Sequence, residues 1–176
     1  MKAKTITGIL LIGFILISAC SKKKTPWVAA LEENTVYFLT QNVDAVDKHI
    51  DQAQQLHKQG KRVKAAEELK QAKRRLEEMR SFYMPLANAK GHIAAAYRLA
   101  EREDITAAKD ELAKARTQIN ITKSQSTGTT LQSVNKLMAD TEGLEKELVK
   151  MTDRMRLRFT QIAGNVDAII TNKGKK

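Results

Sequence analysis

Few residues of this chain could carry out covalent or metal chemistry. It has three histidines, His49, His57 and His92, and one cysteine, Cys20. His49 and His57 are separated by about 12 Å along an α-helix, which is too far for both to bind one metal ion without other elements folding in. The sequence contains no H-E-x-x-H pair, glycine-rich phosphate loop or dinucleotide fingerprint. We therefore predict a protein that is not an enzyme, with no catalytic residues, metal site or cofactor.

The charged residues suggest surface contacts more than catalysis. Acidic residues often occur as adjacent pairs, such as Glu67-Glu68. Neighbours on a helix point about 100° apart, so such a pair suits ion pairs on a solvated face better than a shared site. A denser basic run contains Arg154, Arg156 and Arg158. These three arginines either contact an anionic ligand, such as lipid, lipopolysaccharide or a cell-wall polymer, or only make an amphipathic helix soluble.

The N-terminus has the features of an export signal. Lys2 and Lys4 precede an apolar core of about a dozen residues, too short to cross the roughly 30 Å hydrocarbon layer. The segment Ile17-Ser18-Ala19-Cys20 follows and resembles the lipobox of bacterial lipoproteins. That resemblance implies that residues 1–19 are a signal peptide and that Cys20 carries a diacylglycerol and a further acyl chain such as palmitate. Several acyl chains together hold a protein stably on a membrane.

The residues after Cys20 bear on location. In lipoproteins of this kind an aspartate after the cysteine favours retention in the inner membrane, whereas this chain has Ser21. The resemblance therefore implies an outer-membrane lipoprotein that faces the periplasm. Residues 20–26 form the lipidated tether, and its three lysines either touch anionic headgroups or act as a solvated spacer.

Composition predicts an all-α body. Alanine, leucine, lysine, glutamate and glutamine are abundant, prolines number two, and aromatics make up 5% of the residues. The formal net charge of +11 is typical of proteins that contact nucleic acid, anionic membranes or acidic polymers. Export makes nucleic acid the weakest of these candidates, so we predict no nucleic-acid partner. With one cysteine, which lies at the signal boundary, the fold must rest on packing alone.

Apolar residues recur every three or four positions, which predicts five or six helices. We expect a helical-hairpin domain over residues 27–123, a polar loop over 124–130, and a basic tail over 172–176. Between the last two, residues 131–171 should form one long helix or two helices that meet near Gly143. Gly60 should end the first helix, Pro85 should lie in the first turn of the third, and Asp104 should cap the fourth.

An internal repeat organises the first domain. Residues 49–76 align without gaps on residues 92–119, at an offset of 43. Each unit is predicted to be a helix, a short turn and a second helix. His49 and His92 occupy equivalent positions, so they could lie together as a pH-responsive pair, or each could be a partly buried polar residue at a helix contact. The matched residues are His49/His92, Ile50/Ile93, Ala53/Ala96, Leu56/Leu99, Ala65/Ala108, Glu68/Glu111, Leu69/Leu112 and Ala72/Ala115.

The hairpins resemble two known groups. The likeness to tetratricopeptide repeats is generic, because the offset exceeds the roughly 34 residues of that class. The body also resembles the YfdX family of exported helical proteins, over about residues 36–119. The carrying residues are Met84-Pro85-Leu86, His92-Ile93, Leu99 and the segment Ala107-Ala108 to Leu112. This resemblance implies a helical protein of the cell envelope, associated with envelope and acid stress, and implies little chemistry.

These observations lead to two functional hypotheses. The first is a membrane-anchored periplasmic lipoprotein that acts as a non-enzymatic protein-interaction or envelope-stress module, with an envelope protein partner or through self-association. Repeated hairpins and a heptad-like C-terminal segment provide surfaces for such contacts. The alternative is binding of an anionic envelope component by a basic helical surface. Salt would separate them, because screening weakens polyanion binding more than apolar docking.

Overall fold

The structure, a computed structural model, describes residues 33–173 and confirms the all-α prediction. Within those residues there are six α-helices and no β-strand. The predicted signal peptide, the tether with Cys20 and Ser21, and the last three residues of the basic tail lie outside the described range. The helices are α1 (Glu33–Lys58), α2 (Arg62–Glu78), α3 (Met84–Glu101), α4 (Ile105–Lys123), α5 (Gly128–Glu147) and α6 (Asp153–Lys173).

The last four helices form an antiparallel bundle. α3 packs on α4, α4 on α5, α5 on α6, and α6 back on α3. Their inward stripes merge into one core, in which Leu86, Ile93, Leu112, Ile119 and Phe159 are fully buried. Buried residues recur at three- and four-residue intervals on α3 and α4, and Leu99 of α3 is partly buried and packs against this core.

The first hairpin is attached to this bundle differently. α1 and α2 pack mainly on each other, and beyond that α1 touches α6 and α2 touches the π-helical turn Met79–Tyr83. Val46 and Ala53 of α1 and Ala65 and Ala72 of α2 are the buried apolar residues of this pair. Other apolar residues of these two helices, among them Val43, Leu69 and Leu76, are exposed, which the helical period alone does not reveal.

The turn that ends α1 confirms the prediction for Gly60. Gly60 has φ of 73°, which lies in the left-handed region. Glycine has no Cβ, so it adopts this conformation without the steric cost that other residues have. The N–H groups of Gly60 and Lys61 donate to the carbonyls of His57 and Leu56, both over 2.9 Å. These are the two hydrogen bonds of a Schellman cap, and they satisfy carbonyls that the helix end leaves free.

The turn that ends α3 repeats this geometry at the offset of 43 residues. Glu103 stands at the position of Gly60 and has φ of 65°. The N–H groups of Glu103 and Asp104 donate to the carbonyls of Ala100 and Leu99, over 3.1 and 3.0 Å. Asp104 then caps α4, as predicted, because its side chain accepts a hydrogen bond from the N–H of Ala107. The two hairpins therefore share a turn as well as a sequence pattern.

The strained position of Glu103 leads to a prediction. A side chain in the left-handed region costs about 1–2 kcal/mol that glycine avoids. We expect Glu103→Gly to raise the free energy of unfolding by about 1 kcal/mol, and Gly60→Ala, its matched control, to lower it by a similar amount. Urea denaturation of the two variants measures both effects. Destabilisation by Glu103→Gly would contradict the assigned turn geometry.

Pro85 lies in the first turn of α3, as predicted, yet the chain does not leave the helix before it. The π-helical turn Met79–Tyr83 carries α2 directly into α3. Its wider hydrogen-bond pattern, with the Met84 N–H donating to the Met79 carbonyl, accommodates a residue that has no N–H of its own. Phe82 and Tyr83 of this turn are buried, so the two hairpins are joined by a packed segment.

Two boundaries differ from the prediction. α5 begins at Gly128, so the polar loop before it covers residues 124–127 and not 124–130. The C-terminal segment is a helix pair, but its junction is residues 148–152 and not Gly143. Leu148 is extended and fully buried, and Thr152 caps α6 by accepting the N–H of Met155 over 3.2 Å. Gly143 lies inside α5, where an added Cβ would come within 3.1 Å of the Arg158 guanidinium.

Candidate interaction surface

The first hairpin exposes an apolar face that the second hairpin buries. Leu69 on α2 is 52% exposed, whereas Leu112, its repeat counterpart on α4, is 0% exposed. Leu76 is 51% exposed against 0% for Ile119, and Val43 on α1 is 45% exposed against 0% for Leu86. In the second hairpin these positions are covered by α5 and α6. We call the corresponding residues of the first hairpin, Val43, Ile50, Leu69 and Leu76, the open face.

Helix geometry explains why these residues share one side. The seven-residue spacings of Val43 and Ile50 on α1, and of Leu69 and Leu76 on α2, bring each pair close to one line along its helix. Their counterparts all belong to the single core cluster of the bundle, with Ile93 as the counterpart of Ile50. Because the two hairpins share their turn and their cross-helix contacts, the open face lies on the side of the first hairpin that corresponds to the covered side of the second.

Charged side chains of opposite sign border the open face. On α1 the exposed Asp44, Asp47 and Asp51 lie next to Val43 and Ile50. α1 carries four acidic and two lysine side chains, so it is acidic as a whole. On α2 the exposed Lys70 and Lys73 lie on the outer side of Leu69, and this helix carries six basic and four acidic side chains. The face is therefore apolar in its centre, acidic along the α1 edge and mainly basic along the α2 edge, where Glu77 lies beside Lys73.

The repeated histidines bind glutamates inside their own hairpins. His49 Nδ1 lies 2.7 Å from Glu68 Oε2, and His92 Nδ1 lies 2.6 Å from Glu111 Oε2. Both contacts are partly buried and join the two helices of a hairpin. They fix which residues of the paired helices lie at the same height. His57 is exposed in the last turn of α1.

Glu111 makes the second hairpin sensitive to acid. The Lys114 ammonium, 2.6 Å away, and the His92 ring lower the pKa of the Glu111 carboxyl from 4.5. A carboxyl whose pKa is lower in the folded than in the unfolded state stabilises the fold above the unfolded pKa, and this stabilisation is lost as the pH falls through the folded pKa.

We therefore expect Glu111→Gln to destabilise the chain near neutral pH and to flatten the fall in stability below pH 4.5. Thermal melts between neutral pH and about pH 3 measure this dependence, with the exposed Asp110→Asn as the control. A pH profile of Glu111→Gln parallel to that of the unchanged chain would contradict the assignment.

A buried ion pair holds the helices together and was missed by the sequence analysis. The Lys90 ammonium on α3 contacts Asp167 Oδ2 on α6, and both side chains are buried. The Thr35 hydroxyl on α1 donates to the other carboxylate oxygen over 2.7 Å. These contacts connect α1 to the bundle. The available signal was that Lys90 and Asp167 each interrupt an apolar stripe, between Leu86 and Ile93 and between Val166 and Ile170.

The three arginines proposed as anion contacts all have carboxylate neighbours. Arg156 donates to Glu101 over 2.6 and 3.2 Å and to Asp153 over 2.8 Å, and Glu101 raises the pKa of its guanidinium. Arg158 donates to Glu147 over 2.6 Å, and Arg154 lies 3.5 Å from the same glutamate. An anion at these positions would compete with existing ion pairs. Cys20, the predicted lipid attachment residue, lies outside the described residues.

A groove with both polar and apolar walls runs between α5 and α6. One cavity, of about 370 Å³, is lined by hydroxyl, amide and ammonium groups, including those of Ser133, Asn165 and Lys173. A second, of about 400 Å³, lies beside it and includes Arg158. Lys136 and Asn165 line both, so the two cavities adjoin. Lys173 also contacts Glu78 over 3.2 Å and lies 3.7 Å above the Phe82 ring.

Residues 33–173 lack two other kinds of site. No helix in this range is both long and apolar enough to span a bilayer. The same range contains no group of three or more histidine, cysteine, aspartate or glutamate side chains that could hold a metal ion.

The fold and the surface define a protein of repeated helical hairpins, the first open on one face and the second covered. Residues 17–126 match the family model described as YfdX protein. Because the match spans more than half of the chain, the protein belongs to the YfdX family, as its resemblance predicted. Searches of curated proteins and of solved structures found no match. The matched range ends before α5, so the helices that cover the second hairpin lie beyond it.

Proposed function

We propose that this chain is a lipid-anchored protein of the bacterial cell envelope that works, without catalysis, as a helical protein-interaction module. The anchor is Cys20, with Ser21 directing the protein to the periplasmic face of the outer membrane. The open face of the first hairpin is the docking surface, and its partner is an amphipathic helical segment. A docked hairpin would cover Leu69 and Leu76 as α5 and α6 cover Leu112 and Ile119.

The contrast between the two hairpins is the observation that supports this proposal. Both have the same turn and the same histidine–glutamate contact, so their helices present equivalent faces. One of these faces is inside a core, and the other leaves three large aliphatic side chains, on two neighbouring helices, about half exposed. Contiguous exposed apolar surface bordered by charge is typical of a protein-binding site.

Photocrosslinking in intact cells tests this function. A photoreactive residue replaces Leu69 in the full, lipidated chain, and Val63 is the matched control. Val63 is 85% exposed, but it lies about 120° around α2 from Leu69, and its counterpart Thr106 is exposed as well. We expect a discrete protein adduct from position 69 and little from position 63. Equal or absent adducts at the two positions would contradict the proposal.

The groove between α5 and α6 supports a second candidate, binding of an anionic envelope component such as lipopolysaccharide or a cell-wall polymer. Lys136, Arg158 and Lys173 line it together with one carboxylate, Asp140. Arg158 and Lys173 also contact Glu147 and Glu78, so Lys136 is the cation tested. Purified lipopolysaccharide should then bind the detergent-solubilised chain at low salt, and Lys136→Glu should weaken binding more than Lys64→Glu, a change on α2. Binding that is insensitive to both salt and Lys136→Glu would exclude this groove.

A further inference from the structure

Within residues 33–173, no second hairpin packs on the open face. In the bundle, α5 packs on α4 and α6 packs on α3, and α6 also touches α1. The first hairpin has the same apolar positions and no equivalent cover within residues 33–173. This inference rests on the proposed function, because it names the molecule that occupies the same docking surface.

We propose that the occupant is the open face of a second copy of this chain, related by a two-fold axis parallel to the helices. The two hairpins would form a four-helix bundle in which α2 of each copy packs against α1 of the other. This order of helices matches the intramolecular bundle, where α4 packs on α5 and α6 on α3. Val43, Ile50, Leu69 and Leu76 of both copies would form its core.

The heights of the charged residues fit this symmetry. The contact between His49 and Glu68 sets these two residues at one height, and the helices run in opposite directions from there. Asp47 precedes His49 by two residues and Lys70 follows Glu68 by two, so they share a height. Asp44 and Lys73, each five residues away, share another. A two-fold axis along the helices preserves height, so it places Asp44 and Asp47 beside Lys73 and Lys70 of the second copy.

The second hairpin already contains an ion pair of this kind. Lys73 is the repeat counterpart of Arg116, which reaches from α4 to the covering helix α5 and donates to Glu145 over 2.8 Å. Among residues 33–173, the ion pair that Lys73 makes is the exposed contact to Glu77, 3.8 Å away on the same helix. A carboxylate on the helix that covers α2 would give Lys73 the kind of partner that Arg116 has.

Charge complementarity selects a second copy as the occupant. The acidic edge lies on α1 and the basic edge on α2. In the two-fold arrangement the acidic edge of each copy meets the basic edge of the other copy, so the assembly contains two such contacts. Complementary charges across an interface favour the correct partner, whereas like charges exclude wrong ones. The hairpin is therefore complementary to itself in apolar pattern, height and sign of charge.

A charge exchange tests the arrangement. Two differently tagged full-length chains are co-expressed, extracted in detergent and purified through one tag, and the amount of the other tag is measured. One variant carries Asp44→Lys with Asp47→Lys, and the other carries Lys70→Glu with Lys73→Glu. The control carries Lys64→Glu with Arg74→Glu, whose positions on α2 lie about 140° from Leu69. All of these residues are exposed, and circular dichroism melts check that each variant folds.

We expect unchanged chains to co-purify and each reversed variant to lose co-purification with itself by about tenfold or more. The variant with lysines at positions 44 and 47 should co-purify with the variant that has glutamates at positions 70 and 73. In that mixed pair each basic edge again meets an acidic edge. The control variant should still pair with itself. Absence of self-pairing in the unchanged chain, or reversed variants that pair as well as the control, would overturn the proposal.

The crosslinks at position 69 separate this inference from the proposed function. An adduct with the mass of two chains at that position supports both. An adduct with a different protein, together with no co-purification of tagged copies, retains the interaction module and rejects the second copy. No adduct at all rejects both.

Discussion

Replacing Lys90 by methionine is expected to lower the free energy of unfolding by about 3–5 kcal/mol, the usual cost of leaving a buried charge without its partner. Lys90 and Asp167 are buried, and their contact joins α3 to α6. Without the ammonium, the Asp167 carboxylate would keep only the hydroxyl of Thr35 as a donor among the contacts described here. Urea denaturation followed by circular dichroism measures the change.

The double variant Lys90→Met, Asp167→Leu is the control. Replacing both members of a buried ion pair with apolar residues is often neutral, so the second change should recover much of the lost stability. A double variant as unstable as Lys90→Met alone would show that the cost comes from packing. A loss below about 1 kcal/mol for Lys90→Met would contradict a dry, buried pair.

The two hairpins should respond very differently to the same substitution. Leu112→Ala removes a fully buried side chain from the bundle core and is expected to cost about 2–5 kcal/mol. Leu69→Ala, at the repeat-equivalent position, should cost roughly 1 kcal/mol or less in dilute solution, because half of that side chain is already exposed.

The cost of Leu69→Ala should then rise with protein concentration. Association of folded chains stabilises them by mass action, and the substitution would remove part of that stabilisation. Denaturation at several protein concentrations measures this dependence. Equal costs for Leu69→Ala and Leu112→Ala at all concentrations would contradict the distinction between an open and a covered face.

Features encoded by local sequence were predictable. The helical period located both hairpins, and Asp104 and Gly60 marked a helix start and a helix end because caps depend on neighbouring backbone groups. The repeat offset placed His49 and His92 at equivalent positions. It also could have suggested that Glu68 and Glu111 face them, since both glutamates are among the matched residues.

Features that depend on tertiary packing were not predictable from the same patterns. The stripes of the two hairpins look alike in sequence, yet one is covered because α5 and α6 fold onto it. The junction between α5 and α6 contains no glycine or proline, and its one signal is Thr152 followed by Asp153, a cap with an acidic first turn. The Lys90–Asp167 pair joins residues far apart in the chain, so no local period reveals it.

The family match separates the two hairpins from the C-terminal helices. It covers both hairpins and ends at residue 126, before the helices that bury the face of the second one. Residues 33–126 therefore contain two equivalent apolar faces, of which this chain covers one with its own C-terminal helices. The other is the surface through which we propose that the protein meets its partner.

Cysteine labelling in intact cells tests most directly whether the open face is covered. The chain has one cysteine, Cys20, so Leu69→Cys and Val63→Cys each add a single reporter thiol. A small maleimide is applied to cells and, separately, to the dilute detergent-solubilised protein, and the labelling rates are compared. We predict that Cys at position 69 is protected in cells and reactive after dilution, whereas Cys at position 63 reacts equally in both. Equally rapid labelling of position 69 in cells and after dilution would contradict the account.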